Sequence, residues 1–350
     1  MNINYENYKY LLGFLYRIKR IGLYGTFNEF TLYNYRYFKI SWHISKKRAY
    51  TSLPHYAHTY CKITSHNSKI TPKMLLNIVP KFFAKNILSC RTNSYKHKYK
   101  LVDKVWFYNY MKDNAIDCPV TFFHIKDGTY YDLHENPINS SVYNGMRMFT
   151  KLNGGSSGAG TSIIRFDNRK NYENDIIFQE IVTPHNSIQK LAGVSSLPTI
   201  RLNSYLRKNN TVEIVSAFIK FPPSGAVSDN MKSGTFGVSI DYKAGKLTNK
   251  YGGLSDFRPI VKDNHILHPI SGLIIDGFAI PYWNEVILIL DKLHSLFKEL
   301  RFVGWDIAIG ERGPIIIEGN SVGDVFFEQM ISNPYFETDY VQENINGTTF

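Results

Sequence analysis

Two short apolar runs joined by a turn, FVGWDIAIG (302–310) and GPIIIEGN (313–320), constrain this chain more than any other segment. They read as the strands of an antiparallel hairpin, and runs this apolar belong in a core. Yet they carry Asp306, Glu318 and Asn320. A carboxylate in a low-dielectric interior costs several kcal/mol, roughly, unless something compensates it. Alternation puts Asp306 on the face opposite Val303, Trp305, Ile307 and Ile309, and puts Glu318 and Asn320 together on one face. A two-residue loop at Glu311 and Arg312 would set Asp306 against Ile317, whereas a three-residue loop that includes Gly313 would set it against Glu318. The longer loop is the expectation, because Gly313 stands where a three-residue hairpin needs a left-handed residue. Opposed carboxylates repel. With an amide beside them, the oxygen-only donor set Asp306, Glu318 and Asn320 points to Mg²⁺, with Mn²⁺ as the alternative. The competing reading is a solvent-facing edge hairpin that needs no ion.

Upstream, the pattern is helices first and strand pairs afterwards. Residues 1–100 mix aromatic and basic residues at helix-compatible spacing, as in YLLGFLYRIKRIGLYGTFNEF, so an α-rich N-terminal region is expected. LVDKVWFYNYMKDNAIDCP (101–119) repeats apolar residues at helical spacing until Pro119. Strand-like runs follow: VTFFHI, TYYDL, GMRMFTKL, TSIIRF and DIIFQEIV; LPTIRLNSYL and TVEIVSAFIKF then flank the turn RKNN. Residues 283–300 are apolar along one helical face, and the polar tail from Asn333 reads as poorly ordered. The order implies an α+β chain with mostly antiparallel pairing. Its expected divisions are a basic N-terminal region (1–100), a small subdomain with a Gly-rich loop (101–178), a catalytic and metal subdomain (179–332) and a tail (333–350).

Two further sets of residues suggest phosphate chemistry. KLNGGSSGAGTS (151–162) lies between two strands, where glycine backbone N–H groups can approach phosphate oxygens and serines add donors. It lacks the GK[ST] ending of a Walker A loop, and no dinucleotide-type unit encloses it. Lys151, just ahead of it, can reach a phosphate. Arg201 and Lys220 each interrupt an apolar strand; beside a carboxylate-bound metal they would complete a positive clamp on a transferring phosphoryl group. Snorkelling surface cations are the plainer alternative.

Charge is uneven. Residues 1–100 hold 18 Lys or Arg against Glu6 and Glu29, a balance of +16, and the rest holds 23 against 27, a balance of −4. Such a field attracts anionic lipid headgroups, nucleic acid or a phosphorylated carrier. No window has eighteen consecutive apolar residues, so no membrane span is expected, and LLGFLY (11–16) lacks the flanks of a signal peptide. Cys61, Cys90 and Cys118 are scattered and suit buried thiols in a reducing, cytoplasmic compartment.

In this order the motifs resemble the ATP-grasp superfamily of carboxylate–amine ligases, and more narrowly its sugar-transfer-associated branch, over roughly residues 100–330. The resemblance implies two α+β subdomains gripping ATP. It also implies roles for residues. Lys104 of the Asp103–Lys104 pair and Lys151 would hold the triphosphate, under a flap of Gly154, Gly155, Ser156, Ser157 and Gly158. Gln179, Glu180, Ile181 and Val182 would form the adenine hinge. Arg201 and Lys220 would stabilise the transferring group, and Asp306, Glu318 and Asn320 would bind two Mg²⁺ ions. The acidic ribose ligand of many members has no counterpart, and His185 or Ser187 occupies its neighbourhood. The implied reaction joins a carboxylate and an amine, sugar- or carrier-linked, through an acyl phosphate, with peripheral membrane contact as an added expectation and no nucleic acid partner. Two rivals compete with it. A kinase-like transferase also places a Gly-rich loop between strands, but its HRD is absent here and only DFR (256–258) hints at DFG. A polyanion-binding protein would use the basic first third.

Overall fold

The computed structural model describes residues 5–44, 56–57, 59–60, 63, 71–155, 160–172, 175–227, 234–255, 258–262, 267–321 and 325–345. Ser156, Ser157 and Gly158, Cys61, and Asp256 and Phe257 of the DFR run lie outside them.

The N-terminal region is helical. A long helix, α1 (Tyr5–Ile44), is followed by α2 (Pro72–Asn77) and a helical run over 81–92 with a π-turn at Ala84–Leu88. Arg17 and Glu29 form a buried ion pair of 2.6 Å within α1. A straight helix would hold residues twelve apart about 18 Å from each other along its axis. The run therefore bends between them, and Gly22 and Gly25 lie in that stretch. Helix α3 (Lys104–Asp113) starts at Asp103, whose side chain accepts from the N–H of Trp106 at 3.1 Å. It ends well before Pro119, because Ala115 takes a left-handed conformation (φ 49°) that no helix continues through.

Two antiparallel sheets follow. The smaller is ordered β2-β1-β5-β3-β4, from β1 (Thr121–Lys126), β2 (Thr129–Tyr131), β3 (Arg147–Leu152), β4 (Ser162–Arg165) and β5 (Ile176–Gln179). The larger is ordered β10-β9-β8-β7-β6-β11-β12. Its strands are β6 (Thr199–Leu206), β7 (Val212–Phe221), β8 (Phe236–Asp241), β9 (Lys246–Ser255), β10 (Arg258–Lys262), β11 (Phe302–Gly310) and β12 (Gly313–Asn320). Helix α4 (Asn186–Ala192) lies in the connection between the sheets.

The larger sheet is covered on both faces, which is why β11 is buried at every position. Helix α5 (Trp283–Leu296) packs Val286, Leu290 and Leu293 into the core that holds Val303, Trp305, Ile307 and Ile309. On the opposite face, α6 (Val325–Ile331) and α7 (Asp339–Ile345) join the N-terminal helices around Phe302, Tyr205 and Val215. The tail is thus packed on the sheet over residues 335–345, contrary to the expectation from its polarity. Tyr335 is buried ahead of α7, and Tyr340, Val341 and Ile345 are buried within it. Tyr340 stacks on Phe302 at 4.1 Å, and the Glu213 carboxylate accepts from the N–H groups of Asp339 and Tyr340. The thiols also differ from expectation, since Cys90 is exposed and Cys118 only half-buried.

His294 faces inward from α5, where its Nε2 meets the hydroxyl of Ser204 at 2.8 Å, and Ser204 also accepts from the Trp305 indole at 3.1 Å. Burial lowers its pKa to about 4. A histidine held neutral stabilises the fold above its unfolded pKa, and that stability is lost as pH falls through the folded value. Unfolding free energy is expected to drop between pH 6.5 and 4, with about 3 kcal/mol of the loss due to His294. Urea unfolding of His294→Gln across that range should show a flatter profile. An unchanged slope would remove His294 from the account.

Candidate active site

Asp306 pairs with Glu318 across β11 and β12, as the hairpin required, but by another route. Gly310 pairs with Gly313, so the loop is two residues long, Glu311 and Arg312. Gly313 does adopt a positive φ of 137°. The register is shifted instead by a bulge, since Ile307 pairs with Ile316 while Asp306 pairs with Glu318, leaving Ile317 as the extra residue. Tyr108 of α3 holds the bulge by donating to the Ile317 carbonyl at 2.5 Å. The bulge also breaks alternation, so the consecutive residues Ile317 and Glu318 both line one cavity.

Asp306 is compensated by side chains. Arg201, its cross-strand neighbour on β6, grips it in a fork, Nε to Oδ1 at 2.8 Å and Nη2 to Oδ2 at 2.9 Å. Lys220 on β7 donates to Oδ1 at 2.8 Å. Burial alone would push the Asp306 carboxyl up, but the Arg201 and Lys220 charges hold it well below the usual carboxylate range. Arg201 reaches on to Glu328 of α6 at 3.2 Å. Glu328 is also held by Asn203 at 2.8 Å and by the Tyr335 hydroxyl at 3.1 Å. Gly304 makes room for this network, because a Cβ there would stand 2.5 Å from Asn203 Oδ1. Sequence reading missed Glu328 because it stands 127 residues from Arg201.

Glu318 is less well compensated. Burial, and then the charge of Asp306, raise its carboxyl, and Lys151 opposes them only in part. Asn320 bridges the two carboxylates with its amide NH₂, at 3.3 Å to Asp306 and 3.2 Å to Glu318. The residues fit a hard divalent cation. The donors are oxygens, Glu318 faces the cavity with unbalanced charge, and a half-turn of the Asn320 amide presents its oxygen. Asp306 already accepts from Arg201, Lys220 and Asn320, so joining such a site means rearranging these bonds, with the turn of Asn320 freeing a position on Oδ2.

The cavity is about 630 Å³, within the range of small-molecule sites. The larger sheet contributes Thr199, Asp306, Ile317 and Glu318; the smaller contributes Arg147, Phe149 and Lys151 of β3 and Gln179 of β5. Glu180, Ile181 and Val182 continue that wall. Gln179 is fixed by a 2.8 Å bond to Thr121, and Glu180 exchanges bonds with the backbone of Val120. Lys151 is buried beside Tyr108 and donates to its hydroxyl. Arg147 and Arg165 line the same cavity and were not singled out in the sequence. The signal was available for Arg147, since it alternates with Phe149 and Lys151 on one face of β3.

Lys104, Gly154, Gly155 and His185 are placed elsewhere. Lys104 is not among the lining residues; its ammonium donates to the carbonyls of Asn153 at 2.8 Å and Gly155 at 2.6 Å. It thereby anchors Gly154 and Gly155, the entry of the Gly-rich loop, to the start of α3. Burial lowers its pKa, with Glu318 and Asp103 acting the other way. His185 caps α4, with Nδ1 accepting from Ser187 N–H, and its Nε2 lies 3.8 Å from Glu311 in the hairpin turn.

Solved structures with a distant likeness include D-alanyl-alanine synthetase A from Vibrio cholerae, at 10% identity and TM-score 0.41, covering 71% of this chain and 65% of that one. Another is phosphoribosylamine–glycine ligase from Thermotoga maritima, at 12% identity and TM-score 0.41, covering 73% and 57%. The chain therefore spans less than two thirds of the length of either. No curated protein matches it. The profile of one family does match, over the segment that runs from just before the hinge, through Arg201, Lys220 and the carboxylate hairpin, to the end of α6 and beyond. That family is the sugar-transfer associated ATP-grasp family, whose model matches residues 170–338 of this chain.

Proposed function

We propose that the chain is an ATP-dependent carboxylate–amine ligase that forms an amide bond through an acyl phosphate. One observation carries this reading: a single cavity has the Gln179–Val182 segment and Lys151 on one wall, and Asp306 and Glu318 on the other, backed by Arg201 and Lys220. Gln179 to Val182 would hold the adenine. Lys151, with Arg147 or Arg165, would hold the phosphates. Glu318, Asn320 and Asp306 would hold Mg²⁺, which when bound neutralises charge on the β and γ phosphates.

In the reaction a substrate carboxylate oxygen attacks the γ phosphorus of ATP and the bond to ADP breaks. An amine then adds to the acyl carbon, loses a proton, and expels inorganic phosphate. Arg201, part-buried, and Lys220, buried, converge on Asp306 at the cavity wall, and from there they would stabilise charge on the phosphoryl group and then on the oxyanion. No side-chain nucleophile is required. The substrates that fit best with the family description are a sugar or uronic acid on one side and an amino acid or amine on the other.

The test is ADP release that requires a carboxylate and an amine together. Hydroxylamine in place of the amine should trap a hydroxamate. A stable phosphorylated product made without an amine would replace the ligase reading with a kinase-like one.

A further inference from the structure

Helix α1 has two faces of opposite fate. On the inner face Tyr33, Tyr37 and Ile40 are fully buried. The hydroxyls of Tyr33 and Tyr37 donate to the Ile78 carbonyl at 3.2 and 3.0 Å, and Arg36 donates to the Leu76 carbonyl while lying 3.7 Å over the Phe336 ring. The helix cannot rotate about its axis without breaking these contacts. Its outer face is thereby committed to the surface.

That outer face is apolar. Leu23, Tyr24, Phe27, Leu32 and Tyr35 are between 52% and 80% exposed, with only Asn28 and Thr31 among them. Leu23, Phe27, Thr31 and Tyr35 are four residues apart and so form one row, which Lys39 extends with its ammonium 6.0 Å from the Tyr35 ring. Lys19 is exposed one turn before Leu23. Leu23 and Tyr24 stand at the bend implied by the Arg17–Glu29 pair. Between residues 17 and 44 the sole acidic residue is Glu29, and it is buried against Arg17. Contiguous exposed apolar surface of this kind marks an interaction site.

Charge selects the partner. The first hundred residues carry a balance of +16. A second copy of the chain would bring the same sign of charge to an apolar contact, which opposes self-association. A nucleic acid needs cations along the contact face, and the middle of this one has none. An anionic bilayer satisfies both parts: Leu and aromatic rings enter the boundary between headgroups and acyl chains, while flanking lysines extend to lipid phosphates. Among the described residues no helix is long and apolar enough to cross a membrane, so the helix would lie on the surface.

We propose that the outer face of α1, through Leu23, Tyr24, Phe27, Leu32 and Tyr35 between Lys19 and Lys39, seats the protein on anionic lipid bilayers. The inference does not depend on the reaction proposed above. The inner face of α1 packs on the cluster that contains Phe302, in the strand that carries Asp306, so docking fixes the cavity's sheet relative to the lipid surface.

Vesicle co-sedimentation of the full chain tests it, with vesicles of phosphatidylglycerol and phosphatidylcholine set against pure phosphatidylcholine. Binding at least tenfold stronger to the anionic vesicles, weakening with salt, is expected. Leu23→Asp with Phe27→Asp should lower it at least tenfold while circular dichroism and the thermal midpoint stay unchanged, since both side chains are exposed. Lys19→Glu with Lys39→Glu should remove the preference for anionic lipid. Equal binding by parent and Asp variants would overturn the proposal. So would a dimer in light scattering that the Asp pair dissolves, or retention on single-stranded nucleic acid that the Asp pair abolishes without any vesicle binding.

Discussion

Asp306→Ala is expected to lower unfolding free energy by about 3–5 kcal/mol, the largest stability effect of any single site residue, because it takes the carboxylate from the buried Lys220 ammonium and the part-buried Arg201 guanidinium. Arg201 and Lys220 lose the carboxylate that holds both, and Lys220 is itself only 5% exposed. Glu328 remains to accept from Arg201, so the two cations should not suffer equally. Combining Asp306→Ala with Lys220→Met should recover part of the loss. Combining it with Arg201→Met should recover less, since that takes the Arg201 charge away from Glu328 as well. Urea midpoints of the single and double variants decide the matter. A loss under about 1 kcal/mol for Asp306→Ala would mean that water reaches the cluster and that the cations are compensated without it.

Glu318→Gln is expected to act in the opposite sense on stability and to be the more damaging for turnover. Its carboxyl is raised by burial and by Asp306, so the ionised form is a burden on the unliganded fold. A neutral isostere removes that repulsion and keeps the bond from Asn320. The thermal midpoint in the absence of nucleotide should therefore rise. Turnover of ATP should fall at least 100-fold, because the group that faces the cavity with unbalanced charge is the one a divalent cation would neutralise. Added Mg²⁺ should raise the midpoint of the parent protein in the presence of nucleotide and leave that of Glu318→Gln unchanged. A variant that is both less stable and fully active would show that Glu318 is a structural carboxylate. The contrast between two facing carboxylates, one integrated into the fold and one held in reserve, separates a metal site from a buried ion cluster.

Glu328 extends the same logic to a positioning role. It touches Arg201 and not the cavity, so Glu328→Gln should shift how Arg201 is aimed more than whether nucleotide binds. The readout is a fall in kcat with KM for ATP little changed. An equal rise in KM would place the effect on binding instead.

Much of this molecule was legible in the residue order. The hairpin's apolar runs stand as β11 and β12, and the strands from VTFFHI to DIIFQEIV stand where local pattern put them. Periodicity also located α5, because a helix with one buried face advertises itself. The tail was misread for a related reason. Its polar residues dominate the composition, but Tyr335, Tyr340 and Val341 find a surface on β6 and β11 that is far away in sequence.

What the chain determines by itself is local: which segments alternate, which bend, and which residues carry charge where none is expected. Those properties depend on neighbours a few residues away. Three matters were decided only by the tertiary structure. A bulge at Ile317, held by Tyr108 from a helix some two hundred residues earlier, set the Asp306–Glu318 register that a longer loop was expected to set. Asp306 meets side chains of β6 and β7, Arg201 and Lys220, which the sequence offered only as a clamp on a transferring phosphoryl group. The outer face of α1 became a surface only because its tyrosines were pinned inward. In each case the outcome depends on which distant groups come within a few ångströms. Coulomb energy and hydrogen bonding act at that range, and sequence spacing does not record it.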